Sequence, residues 1–218
     1  MNKFVFNGID VEHICKPKIK NSYISITKDA KVILKTPKVS KTFINALLES
    51  KEDWIKKQLV KINSNPPIKV NLEYEVLLFG EIYLINNSEV QELKESLERV
   101  RIKTFTNISK CYDNFYKKKS ETYLTNRLEY FSKKMLQSYN KVIYKKLKSR
   151  WGSCSSKRVI TLNTQLLKLE KELIDYVVVH ELAHLVYMNH SKEFHNLVEF
   201  YLPNSKLLRK KIKESYLK

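Results

Sequence analysis

The sequence predicts an α+β protein with an N-terminal β-rich domain over residues 1–105, which includes a helix, and a C-terminal domain over residues 106–218. The second domain is predicted to hold a small antiparallel sheet and a helix that carries two histidines. Two patterns favour this class: short alternating apolar stretches dominate the first half, and apolar residues at helical spacing dominate the second. A hydrophobic fraction of 43% is typical of a globular chain, and 218 residues can bury a sizeable core.

The first domain is predicted to contain a β-hairpin and one helix. Apolar stretches at residues 23–26 and 32–34 flank a turn at residues 29–30, as in an antiparallel hairpin. Ser40 is a favourable N-cap, and apolar residues at helical spacing continue the predicted helix over about residues 40–62.

The chain is then interrupted by prolines. Residues 63–67 include two of them and form the clearest break in the sequence. Strands are predicted at residues 74–78 and 82–85, and a charged connection at residues 89–98 has helical character. A third strand is predicted near residues 100–105, where the first domain ends.

The second domain is predicted to be mostly helical. A long helix runs over about residues 109–139, and a polar turn at residues 155–157 separates strands at residues 142–152 and 159–162. Three further helices are predicted at residues 173–188, 192–201 and 205–217.

The most informative feature is a histidine pair on the helix predicted at residues 173–188. His180 and His184 are four residues apart, and Glu181 follows the first of them. Residues i and i+4 share one face of an α-helix, so the two imidazoles can converge on one metal ion. Glu181 is rotated by about 100° from His180, so it can reach a water molecule without binding the metal. This pattern matches the helical zinc-hydrolase signature, and it predicts one Zn²⁺ per chain with Glu181 as general base and acid.

A chance match of five residues is the alternative interpretation. The surrounding helix is strongly apolar, however, and two histidines and a glutamate placed there require partners. A metal ion supplies such a partner, so the metal site is the preferred interpretation.

His190 is the predicted third ligand. It lies ten residues after His180, a spacing used by several zinc-peptidase families, and a turn at residues 189–191 would bring it back towards the ion. His195 and Glu199 are the alternative third ligands. Three protein ligands would leave the fourth coordination position open, as in catalytic zinc sites.

The composition limits which cellular compartment and which binding partners are predicted. A net charge of +18 is compatible with attraction to nucleic acid or another polyanion, although the spread of lysines along the chain favours a solvated lysine-rich surface. No run of about 18 apolar residues and no apolar N-terminal segment is present, so neither a membrane span nor a signal peptide is predicted. Cys15, Cys111 and Cys154 are odd in number and lack metal-type pairing, which predicts free thiols in the cytosol.

Several motifs around the histidines resemble the YgjP-like metal-dependent hydrolase family, also called the domain of unknown function 45. The motifs that carry the resemblance are Arg-Trp-Gly-Ser-Cys at residues 150–154 and the stretches 160–163, 175–184 and 189–194. The N-terminal half is similar too, from the predicted hairpin to the stretch 51–55, so the resemblance covers roughly residues 15–205. A more distant likeness is to the SprT-type proteases, which act on proteins attached to DNA.

The resemblance implies a zincin-like catalytic domain with zinc ligands at His180, His184 and His190 and with Glu181 as the catalytic residue. One departure concerns the residue after Phe194, which is His195 in this chain where members of the family usually carry tryptophan. Its imidazole could be a rival ligand, a group that supports the ligands, or an accident.

Other polar residues are candidates for supporting roles. Tyr187 lies on the same helix face as the histidine pair and could donate a hydrogen bond to an oxyanion, or simply pack at the helix end. Arg150 could bind a substrate carboxylate or carbonyl, or be solvated. Asn163 and Asp175 are candidates to accept a hydrogen bond from a ligand histidine.

The predicted function is zinc-dependent hydrolysis, with a peptide or protein as the preferred substrate. An edge strand at residues 148–152 or 159–163 is predicted to pair with an extended peptide. The alternative function is that of a nucleic-acid-associated protein with a structural or vestigial metal site, or a protease recruited to DNA. An amidase or another non-peptide hydrolase is a third option.

Overall fold

The fold is of the predicted α+β class and consists of two units. It was obtained as a computed structural model. The residues that it describes are 2–27, 29–64, 71–72 and 74–214. Contacts within the chain separate the units Met1–Lys69 and Val70–Lys218. The predicted break at residues 63–67 falls largely outside the described residues.

The first unit contains a four-stranded mixed sheet. Its strands are β1 (Asn2–Phe6), β2 (Ile9–Cys15), β3 (Tyr23–Ile26) and β4 (Val32–Thr36). They lie in the order β1-β2-β4-β3, with β2 parallel to β4 and the other pairs antiparallel. The predicted hairpin is confirmed as β3 and β4, whose register places Tyr23 opposite Lys35 and Ile26 opposite Val32.

Two helices follow the sheet, α1 (Lys41–Glu49) and α2 (Glu52–Ser64). Ser40 caps α1 as predicted, because its hydroxyl accepts a hydrogen bond from the Phe43 N–H. The prediction of one continuous helix is wrong at Ser50, whose hydroxyl donates to a carbonyl of the preceding turn and favours a local bond over a further helical one. The apolar core of this unit consists of Ile9, Val11, Val32, Leu34, Ile44, Leu48 and Ile55.

The second unit begins with a hairpin formed by β5 (Glu75–Leu78) and β6 (Glu81–Leu84). These strands confirm the two predicted there. The turn between them places Gly80 at a φ of +84°, a backbone conformation that residues with a side chain rarely adopt. The hydroxyls of Tyr112 and Tyr116 donate hydrogen bonds to main-chain carbonyls of β5, so the hairpin packs into the core of the second unit.

Because of this packing, the boundary between the units differs from the predicted one. The sequence placed the boundary after residue 105, whereas the structure places it before β5. The strand predicted near residues 100–105 is wrong, because Thr104 caps a helix there and its hydroxyl accepts a hydrogen bond from the first turn. That helix is α4 (Phe105–Lys134), and the charged connection before it is helical as predicted, α3 (Gln91–Glu98).

A three-stranded sheet lies next to the histidine-bearing helix. Its strands are β7 (Lys141–Lys145), β8 (Gly152–Cys154) and β9 (Val159–Asn163), in the order β7-β9-β8. β7 is parallel to β9, and β8 is antiparallel to it. The small antiparallel sheet that the sequence predicts is therefore a mixed one, with one antiparallel and one parallel pair, and the prediction of one strand over residues 142–152 is wrong. The reason is the connection at residues 146–151, which carries the chain to the opposite edge of β9.

The Asn163 side chain holds this connection in place. Its amide nitrogen donates to the main-chain carbonyls of Leu147 and Arg150, each at 2.9 Å. Its side-chain oxygen accepts from the N–H of Leu147 and from that of Gln165. One buried amide thereby fixes the loop that leads into β8.

Three helices complete the second unit: α5 (Lys171–Ala183), α6 (Lys192–Tyr201) and α7 (Ser205–Glu214). The bounds of α6 agree with the prediction, because the Ser191 hydroxyl accepts a hydrogen bond from its first turn. The predicted last residues of α7 lie outside the described part of the chain. α5 contacts α4, α6, α7 and β8, which makes it the central helix of the unit.

Within the described residues, no helix has both the length and the apolar character needed to cross a membrane. The three cysteines are free thiols, as predicted: Cys15 is exposed, Cys111 is buried and Cys154 is half-buried.

Candidate metal centre

Three histidines converge at the C-terminal end of α5. His180 lies in its last turn, His184 is its C-cap, and His190 lies in the connection to α6. One ring nitrogen from each lies within 4.8 Å of the other two, and the Nε2 atoms of His180 and His190 are 3.1 Å apart. Among the described residues, this is the single group of three side chains placed to share a metal ion. The structure thus brings the three predicted ligands together.

The ring of Phe194 supports all three imidazoles. Its centroid lies 4.9 Å from that of His180, 4.6 Å from that of His184 and 4.9 Å from that of His190. Phe194 is fully buried, so it restricts the rotation of the three rings around it. The sequence assigned it no role of its own; the available signal was its position in the first turn of the capped helix that follows His190.

A main-chain carbonyl orients His184. Its Nδ1 lies 3.0 Å from the carbonyl oxygen of Tyr187, so Nδ1–H donates and Nε2 keeps its lone pair. This bond forms because α5 ends at Ala183, five residues earlier than predicted, and the following turn folds back on the ring. Tyr187 thus contributes a main-chain oxygen to the site, while its side chain is exposed.

Burial favours the neutral form of His180 and of His184. Burial, together with smaller contributions from the neighbouring His184 and His190, lowers the pKa of His180 to about 3. Burial also lowers the pKa of His184, although the bond to the Tyr187 carbonyl opposes this shift. Neutral imidazoles are the form that binds a metal, so His180 and His184 fit a divalent ion without first losing protons.

Two buried polar atoms at this site have no hydrogen-bond partner among the described residues. They are the Nδ1 atom of His180 and the Oε2 atom of Glu181. Buried polar atoms are normally paired, and exceptions of this kind are found at functional sites. Together with three converging imidazoles, they fit a centre that holds a metal and the polar groups that react beside it.

Glu181 lies beside β8 and is only 5% exposed. Burial raises its pKa to about 8, and the Arg150 guanidinium opposes the shift. A Cβ atom added at Gly152 would lie 2.6 Å from the Oε1 atom of Glu181. The carboxylate therefore occupies space that only a glycine leaves open.

The raised pKa of Glu181 predicts a pH-dependent stability for the metal-free protein. The pKa of Glu181 in the folded protein lies above its unfolded value. The contribution of this residue to the free energy of unfolding is therefore full below pH 4.5 and is lost as the pH rises through about 8. Glu181→Gln removes the effect. The free energy of unfolding of the variant, relative to that of the metal-free wild type, should therefore rise by about 3–5 kcal/mol as the pH increases from 5 to 9. Urea unfolding of both chelator-treated proteins measures this difference. If the unfolding free energies of the two proteins changed with pH in the same way, the burial of Glu181 would be contradicted.

Several predicted supporting residues have other contacts. Asp175 forms a two-bond ion pair with Arg127 of α4, at 2.7 Å for each bond. Burial raises the pKa of Asp175, and Arg127 opposes that shift. Asn163 binds the loop before β8, as described above. The hydrogen bonds of Asp175 and Asn163 therefore join parts of the fold and do not reach a histidine of the cluster.

The alternative third ligands are also engaged elsewhere. Glu199 accepts hydrogen bonds from the N–H groups of Asn204 and Ser205, so it caps the start of α7. His195 stacks on His190 at a centroid distance of 6.2 Å, and its Nε2 lies 3.2 Å from a guanidinium nitrogen of Arg209. His195 is thus next to the cluster of three histidines without being part of it.

A family model described as the YgjP-like metallopeptidase domain matches residues 20–215. Among solved structures, the chain is similar to the zymogen of the metallopeptidase abylysin from Pyrococcus abyssi, with 30% identity, a TM-score of 0.37 and coverage of 40% of this chain and 90% of that one. It is also similar to the zymogen of the metallopeptidase jannalysin from Methanocaldococcus jannaschii, with 23% identity, a TM-score of 0.37 and coverage of 41% and 93%. Among curated proteins, no match was found.

Proposed function

The chain belongs to the YgjP-like metallopeptidase family, and from this premise we propose that it is a zinc-dependent peptidase. His180, His184 and His190 would hold the metal, and Glu181 would be the general base and acid. The observation that carries the proposal is the convergence of three imidazoles beside a buried carboxylate with an unpartnered oxygen.

Zinc is the metal that this set of donors favours. Three neutral imidazoles are typical ligands of catalytic zinc, in which a fourth position stays open. When bound, zinc would polarise the carbonyl of the substrate and lower the pKa of a water molecule.

The chain's own residues would move the proton. Glu181 would accept it from the attacking water and then donate it to the departing amine, which completes cleavage of the peptide bond. Gly152 would fix the carboxylate in position by leaving room for it.

The edge strand β8 supports a peptide as the substrate. Trp151 and Ser155 form main-chain hydrogen bonds with β9. Bonding alternates along an antiparallel pair, so Ser153 also faces β9, whereas Gly152 and Cys154 direct their N–H and C=O groups away from it. An extended peptide could pair with these groups beside Glu181. Of the two edge strands predicted from the sequence, the one at residues 159–163 is excluded, because β9 is paired on both sides.

Hydrolysis of an unfolded protein tests the proposed function. We expect the purified protein to release peptides from reduced casein, to lose this activity with 1,10-phenanthroline, and to regain it on addition of zinc. Glu181→Gln is the negative control for a contaminating protease. Peptide release that the chelator does not affect, or no release by protein that carries stoichiometric zinc, would contradict the proposal.

Gly152→Ala should reduce the rate of hydrolysis by about 10²-fold, the effect expected when a reacting group is displaced by about 1 Å. The new methyl group would lie 2.6 Å from the Oε1 atom and 2.8 Å from the Cγ atom of Glu181, so the carboxylate must move. The histidines are untouched, and the metal content should stay at the wild-type value. Ser153→Ala in the same strand is the matched control. Equal rates for the two variants would show that Gly152 does not position Glu181.

Contact with nucleic acid is a secondary proposal, supported by the net charge of +18. A phosphate-binding surface would show affinity for DNA that falls steeply as the salt concentration rises. A cytosolic location is likewise a proposal, supported by the three free thiols.

A further inference from the structure

An arginine from α7 reaches the edge of the histidine cluster. The Nη1 atom of Arg209 lies 3.2 Å from the Nε2 atom of His195, and the His195 ring stacks on His190 with an interplanar angle of 20°. Arg209 is half-buried. The chain thus places a fixed positive charge one imidazole away from a proposed metal ligand.

This charge has no carboxylate partner among the side chains that the structure describes. The ion pairs in that part of the chain join other residues, and the recorded hydrogen bond of Arg209 is to an imidazole. Partial burial weakens the solvation of the guanidinium, which favours the binding of an anion. The bond to His195 uses one of its five N–H donors and neutralises none of its charge.

A second cation adds to this positive character. Lys213 lies four residues after Arg209 on α7, so the two cations share one face of the helix and the region favours an anionic group.

We propose that Arg209, oriented by His195, binds a carboxylate of the peptide substrate. A guanidinium can bind a carboxylate through two parallel N–H···O bonds, which gives geometric selectivity as well as attraction. The carboxylate would belong to an Asp or Glu side chain or to the C-terminus of the peptide. It would lie within about three residues of the scissile bond, given about 3.3–3.6 Å of extended chain per residue. This inference rests on the proposed function of the same site.

The test measures peptide binding to the Glu181→Gln protein, in which hydrolysis is removed. Three fluorescent peptides share one core: the first is neutral and C-terminally amidated, the second has a free C-terminal carboxylate, and the third is amidated with one added Glu. We expect one or both anionic peptides to bind at least about ten-fold more tightly than the neutral one, in line with hydrogen bonds to charged groups. The pair of anionic peptides distinguishes the two sources of the carboxylate.

Adding Arg209→Gln should abolish this preference. Arg209→Lys keeps the charge but loses the two-bond geometry, so it should retain only part of the preference, and this separates lost recognition from lost folding. Lys210→Gln removes the same charge from an exposed neighbour on α7 and should leave the preference intact. Equal binding of all three peptides, or equal loss with Lys210→Gln, would overturn the proposal.

Cleavage of the same three peptides by the wild-type protein, which retains Glu181, is measured separately. If it cleaves neutral and anionic peptides equally and the binding preference is absent, the carboxylate site is wrong and the peptidase function stands. If it cleaves no peptide while Arg209 still controls binding of the anionic peptides, the peptidase function is wrong and the carboxylate site stands.

Discussion

Glu181→Gln should lower the rate of peptide hydrolysis by about 10²–10⁴-fold while the protein keeps its metal. The substituted amide has the shape of the carboxylate but cannot accept the proton of the attacking water. The side chain is buried beside Gly152, so the substituted amide should occupy the same place. Initial rates on a peptide substrate, together with metal content by mass spectrometry, measure the two parts of this prediction.

Glu172→Gln is the matched control for this experiment. Glu172 is an exposed residue in the first turn of the same helix, and the substitution removes the same charge. It should leave both rate and metal content at their wild-type values. Full activity in Glu181→Gln would disprove the assigned base, and loss of the metal in that variant would show that Glu181 is itself a ligand.

His184→Asn should remove the bound metal and the hydrolytic activity together. An outer hydrogen-bond partner of a ligand typically contributes 10–100-fold in metal affinity, so a directly binding ligand should contribute more than about 100-fold. His184 is held by the Tyr187 carbonyl with Nε2 directed to the cluster, and the amide of asparagine cannot reach the same position. Isothermal titration with zinc measures the loss of affinity.

The same titration distinguishes the candidates for the third ligand. His190→Asn should weaken zinc binding by a similar factor, because its Nε2 lies 3.1 Å from that of His180. His195→Asn should leave zinc affinity within about three-fold of wild type, because His195 contacts Arg209 and lies outside the cluster. The reverse order for these two variants would identify His195 as the ligand and His190 as its neighbour.

Much of the second unit could be predicted because its signals are local. Ser191 caps α6 through its own side chain, and the i, i+4 spacing alone places His180 and His184 on one face of α5. The first helix of the chain likewise begins at the residue expected from its serine cap, Ser40. In each case the deciding contact spans four residues or fewer, so it can be read from the sequence.

The remaining features depend on contacts between distant segments. The parallel pairing of β7 with β9 requires the loop that Asn163 holds, and the boundary before β5 requires the hydroxyls of Tyr112 and Tyr116. Neither arrangement leaves a periodic pattern in the sequence. The stretch near residues 100–105 favoured a strand by composition, but the part of the chain that the structure describes offers no neighbouring strand to pair with it.

The site shows the same contrast. The metal-binding pattern of α5 was evident, whereas the support for it was not: Phe194 packs on three rings, and the Tyr187 main chain, not its side chain, orients His184. A main-chain acceptor carries no residue signature, because any amino acid supplies the same carbonyl. The role of Gly152 also depends on the approach of Glu181 from another element.

The coordination of zinc in the purified protein is the most direct test of the central claim. Native mass spectrometry should find one zinc ion per chain, and X-ray absorption should find three histidine nitrogens at about 2.0–2.1 Å. Zinc bound at wild-type stoichiometry in a protein that lacks both His180 and His184, or an absorption spectrum with sulfur ligands, would contradict the account.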